Sequence, residues 1–136
     1  VPEEVDGTFD VITAFDVVEH LYEPVTFFKS VKKMLNSGGR LVVLTGNPLS
    51  RSALSAKNKW WYFNYPEHVG FPSPDFFNNL SGFNCISLLE TYASKEHERG
   101  SKYAGWNNIF FKKLFSTYNG LPAAAPDHQL VILQKK

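Results

Sequence analysis

The chain of 136 residues holds a single cysteine, Cys85, so it can form no internal disulfide and has no CxxC pair for a metal or a redox couple. That usage fits a reducing compartment and leads us to expect a cytoplasmic protein. Neither sign of charge is in excess: 14 lysines and arginines stand against 13 aspartates and glutamates, net +1 with histidines neutral, and the basic residues are scattered. A nucleic-acid binder or a protein drawn to anionic membranes would concentrate them, so neither partner is expected. No apolar run approaches membrane-spanning length, and the opening VPEEVDGT has no basic stretch followed by an apolar one. Internal repeats and low-complexity segments are also missing. The four histidines, His20, His68, His97 and His128, lack H-x-x-x-H spacing, which argues against a structural zinc site. The expectation is a soluble single domain over residues 1–136, large enough to bury a core.

What is present is an alternation of apolar runs and helical patterns. FDVITAF, residues 9–15, is rich in β-branched and aromatic residues and predicts an interior strand covered on both faces. EPVTFFKSVKKMLNSGG follows, with Pro24 suited to a first helical position and Phe28, Val31 and Leu35 on one face, joined by Phe27 and Met34. Lys32 and Lys33 suit the last turns of that helix, and Gly38 and Gly39 are expected to stop it. RLVVLTG, residues 40–46, predicts a second strand parallel to the first.

The character then changes. Residues 47–72 read as an excursion over the carboxyl ends of the strands, a lid or acceptor loop with a short helix around 50–59 and an aromatic cluster from Trp60 to Tyr65. Ser73 and Pro74 predict the N-cap and first position of a helix ending near Gly82. CISLLETY, residues 85–92, and HQLVILQKK at the end predict two more strands. Between them, residues 107–118 place Phe110, Phe111, Leu114, Phe115 and Tyr118 along one helical face.

The motifs FD-V, EH-L-P, the GG turn, and PEHVGFPSPDFFNNLSGF together resemble the C-terminal half of class I S-adenosylmethionine-dependent methyltransferases, with likeness to ubiquinone-pathway O-methyltransferases. The resemblance implies an α/β, partial Rossmann-like fold: strands four to seven with flanking helices, a mixed sheet with an antiparallel last strand. It implies methyl transfer from S-adenosylmethionine to oxygen or nitrogen of a small-molecule acceptor. The family's glycine-rich cofactor loop and the acidic end of its second strand have no counterpart in these residues. Weak or no cofactor binding, and no activity, is therefore expected of this chain alone. The first strand is expected to carry an open edge that favours a homodimer or swapped assembly. A non-catalytic dimerising scaffold built on half a methyltransferase fold is the alternative.

By the resemblance, Ala14, Phe15 and Asp16 contact the methionine part of the cofactor; Asp16 could instead only initiate a turn. His68, in PEHVGF, is the candidate catalytic base toward an acceptor hydroxyl, or else a loop histidine that pins its turn through the backbone. No metal is expected. The alternative is a divalent cation on Asp16, Glu19 and His20, which a helical turn over residues 16–20 would place on one side. Trp60, Trp61, Tyr62, Phe63 and Tyr65 either line an acceptor pocket or pack over the sheet.

Overall fold

The computed structural model describes residues 7–91 and 126–136, and the helix expected over 107–118 lies outside them. Strand β1 (Phe9–Phe15) is followed by a short 3-10 turn (Val18–His20), helix α1 (Pro24–Met34) and strand β2 (Leu35–Gly46). Then come α2 (Arg51–Ala56) with a 3-10 turn (Lys57–Lys59), α3 (Pro74–Asn78), β3 (Phe83–Thr91) and β4 (His128–Lys135). The sheet order is β1-β2-β4-β3, with β1 and β2 parallel and β4 antiparallel to both its neighbours. This is the mixed α/β sheet with an antiparallel last strand that the resemblance implies.

One face of the sheet is built by strict alternation. Ala14, Val43 and Val131 lie in register across three strands, as do Ile12, Leu41 and Leu133. All but Ile12 are buried, and α1 lays Phe28 and Val31 on them. Phe28 then meets the rings of Phe76, Phe77 and Phe83 at centroid distances of 5.7, 6.2 and 6.4 Å, which joins α1, α3 and β3 into one core. Ser73 caps α3 as predicted, its Oγ accepting from Phe76 N at 3.3 Å with Pro74 behind it, but the helix closes after Asn78 rather than near Gly82.

Two expectations are corrected. Helix α1 ends at Met34, before the glycines, because Leu35 is already extended and pairs with Phe9. The register then jumps from Phe9↔Leu35 to Val11↔Arg40, so Asn36–Gly39 forms a bulge within β2. Gly38 takes φ +70°, and a Cβ on Gly39 would lie 2.9 Å from the Asn36 carbonyl oxygen, so both glycines serve the bulge and not a helix stop. The second correction concerns β1. It lies at the sheet edge among the described residues, in keeping with the open edge expected of it, but it is not covered on both faces: its odd-numbered face is open, with Val11 and Phe15 more than half exposed. No helix of the described residues is long and apolar enough to cross a membrane.

Candidate functional site

The parallel strands β1 and β2 end side by side, and antiparallel β4 begins there, since Gly46 pairs with His128 and Thr45 with Gln129. On the inward positions of this end the sequence swaps apolar side chains for Thr45 and Gln129, both fully buried. Glu19, on the 3-10 turn after β1, is buried with them. Its carboxylate accepts a hydrogen bond from Thr45 Oγ1 at 2.9 Å and another from the Tyr62 hydroxyl. Its backbone carbonyl accepts from Val69 N at 2.8 Å and Gly70 N at 3.0 Å. One residue thus ties the strand ends to two parts of the 47–72 segment.

Other bonds pin the same segment. Gln129 Nε2 donates to the carbonyls of Gly46 and Pro72, at 3.1 and 2.7 Å. Trp61 Nε1 donates to Asp127 Oδ2 at 2.6 Å, while Asp127 Oδ1 receives His128 Nδ1 at 2.9 Å and the Trp61 ring stacks on that imidazole. Burial of Tyr62, then its hydrogen bond to Glu19 and that carboxylate's charge, raise the phenol above its ordinary range. In the unfolded chain Tyr62 loses its proton near the usual value of about 10, whereas the folded chain keeps it. The folded state then binds more protons, so stability is fully present below about pH 10 and falls as pH rises above it. Urea midpoints between pH 8 and 11 should therefore drop more steeply for wild type than for Tyr62→Phe; parallel profiles would count against this arrangement.

A family model described as a methyltransferase domain matches residues 1–88. The chain belongs to that family. No curated protein matches this methyltransferase-family chain. Among solved structures it is similar to coclaurine N-methyltransferase bound to N-methylheliamine and SAH, at 11% identity and TM-score 0.58, covering 98% of this chain and 50% of that one. It also matches StiE O-MT, at 14% identity and TM-score 0.49, covering 98% of this chain and 46% of that one. The chain thus spans about half the length of the solved structures it matches. At 11% identity the likeness to the coclaurine enzyme speaks to the fold alone.

Within this chain, Ala14 is buried while Phe15 and Asp16 are exposed at the carboxyl end of β1. Asp16 takes φ +51° and its N–H bonds to the Leu44 carbonyl at 3.0 Å. A non-glycine residue there carries backbone strain, which aspartate tolerates better than most. Its carboxylate makes no hydrogen bond among the described residues, so the turn is held by the backbone and not by the side chain.

Asp16 does not join Glu19 and His20 as the helical-turn argument expected; His68 does. Ligand atoms of Glu19, His20 and His68 lie within 4.8 Å of one another, and the two imidazoles meet edge to face. His20 Nδ1 donates to the Glu67 carbonyl and His68 Nδ1 to the Tyr62 carbonyl, each at 2.7 Å. A carbonyl can only accept, so both rings carry hydrogen on Nδ1 and present a basic Nε2. That tautomer suits a metal ligand, but both Glu19 oxygens are already engaged by hydroxyl donors, so this carboxylate serves the fold first. The pairing of Glu19 with Thr45 and Tyr62, and of Trp61 with Asp127, was not foreseen; the available signal was a polar residue at inward positions 45 and 129 of otherwise apolar strands.

Proposed function

We propose that this chain forms the acceptor side, and one wall of the cofactor cleft, of an S-adenosylmethionine-dependent methyltransferase acting on oxygen or nitrogen of a small molecule. The observation that carries the reading is Asp16. In a chain of the methyltransferase family, its carboxylate, which has no partner among the described residues, stands on strained backbone at the carboxyl end of a parallel strand, where open α/β sheets take their ligands. SAH bound to the coclaurine enzyme agrees with this cofactor class. Ala14, Phe15 and Asp16 would flank the methionine portion. When bound, the cofactor supplies a methyl group on a sulfonium, which departs as a neutral thioether keeping the bond pair. His68, held through Nδ1, offers Nε2 to take the acceptor's proton, and positioning does most of the remaining work.

With no glycine-rich loop in the sequence, binding by these residues alone is expected to be weak, in the millimolar range by calorimetry. Ultraviolet cross-linking with methyl-labelled S-adenosylmethionine at millimolar concentration should nevertheless place label on the peptide holding residues 14–16. Label elsewhere, or none, would sink the cofactor assignment. Unlabelled chain that sediments as a dimer would instead favour the scaffold reading, for which the edge of β1, open among the described residues, speaks.

A further inference from the structure

Beside His68 the 47–72 segment leaves an open groove of about 390 Å³, lined by Tyr22, Phe63, Tyr65, His68, Val69 and Phe71. One wall is firm. Phe63 and Phe71 meet edge to face at 4.7 Å, and both lean on Trp60, which is buried behind them at 5.3 and 6.0 Å. Trp60 in turn packs on Tyr62, whose hydroxyl is bonded to Glu19, so this wall is fastened to the sheet. The other side offers free ring faces, since Tyr22 and Tyr65 are each 84% exposed. Among the described residues no Lys, Arg, Asp or Glu lines the groove.

We infer that the groove receives an uncharged, flat aromatic acceptor of one to three rings, with its hydroxyl or amine turned toward His68. This rests on the methyl-transfer reading and deepens it. An anionic acceptor would give up part of its hydration with no counter-charge among the described lining residues to replace it. Flat rings, in contrast, gain offset or edge contacts with aromatic walls beyond their area burial. The volume lies near the lower end of small-molecule sites, about 300–1,000 Å³, which suits a compact molecule and not a polymer. His68 is the one imidazole in the lining among the described residues, and because its Nδ1 is tied to Tyr62, only Nε2 remains to meet the acceptor.

The test is a titration of the 136-residue chain, without cofactor, with 2-naphthol, 2-naphthoate, naphthylmethyl-trimethylammonium and saturated decahydro-2-naphthol. The naphthol should bind at least tenfold more tightly than each of the others. Tyr65→Ala, at a position too exposed to matter for folding, should weaken naphthol about tenfold, and Phe63→Ala should do the same. Equal or tighter binding of the anion, the cation or the saturated ring would overturn the inference. So would naphthol binding unchanged in Tyr65→Ala, or attachment to phosphatidylcholine vesicles with no naphthol affinity. Because no cofactor is present, failure here leaves the cross-linking at residues 14–16 unaffected, and the two readings fall separately.

Discussion

Replacing Glu19 by alanine should destabilise the chain by about 3–5 kcal/mol, a large part of the roughly 5–15 kcal/mol that holds a small domain together. The carboxylate is fully buried and accepts from two hydroxyls, Thr45 Oγ1 and Tyr62 Oη, neither of which has water to turn to once the acceptor is gone. Each orphaned donor costs about 1–3 kcal/mol, and the vacated space adds a cavity term. Glu19→Gln preserves volume and one carbonyl acceptor, so it should cost only about 1–2 kcal/mol. Urea melts of the two variants check this. The ordering matters most: if glutamine costs as much as alanine, the charge itself and not the hydroxyl bonding is what the fold uses, and if alanine costs under about 0.5 kcal/mol the brace is not one. Amide exchange gives a local readout. Val69 and Gly70 hang on the Glu19 carbonyl, and their protection should fall in Glu19→Ala as the turn loosens.

The strand-helix-strand unit was readable because its period announces it: residues 9–15 and 40–46 are apolar runs, and Phe28 and Val31 recur at helical spacing, all of which the structure uses. The Gly38–Gly39 pair misled because glycine answers two different needs. Its free φ suits a helix stop, but here Gly39 is required by the approach of the Asn36 and Phe9 carbonyls to the bulge, a tertiary circumstance that local propensity cannot contain. The D-x-x-E-H motif was half legible. Glu19 and His20 stand together as their adjacency allows, whereas His68 reaches them only because Val69 and Gly70 bond to the Glu19 carbonyl, a contact across a long loop. Asp16 leaves the group because its left-handed backbone turns the chain before the 3-10 turn begins, so a continuous helical reading of residues 16–20 fails at its first residue. Thr45 and Gln129 were visible as polar residues at inward register positions, but what they bond to required the sheet order.

Gly46→Ala should cost about 2–3 kcal/mol and dislodge the aromatic wall, although it adds one methyl group. A Cβ at this position would fall 2.3 and 2.4 Å from two carbons of the Tyr62 ring and 3.0 Å from Trp60. The ring cannot simply step aside. Its hydroxyl is held by Glu19, and it packs against His68 at 4.3 Å and His128 at 4.7 Å, so a shift that clears the methyl must release at least one of these. Nor can β2 retreat, since Gly46 pairs with His128 and its carbonyl accepts from Gln129. A double-mutant cycle separates this clash from any backbone effect of alanine on the strand end. In a Tyr62→Ala background the space is vacated, and the cost of Gly46→Ala should fall by at least about 1 kcal/mol; an unchanged cost would mean that the glycine serves backbone conformation alone. The same variant carries a consequence for binding. Displacing Tyr62 withdraws the support behind Trp60, Phe63 and Phe71, so Gly46→Ala should weaken naphthol binding from a position that never touches the groove.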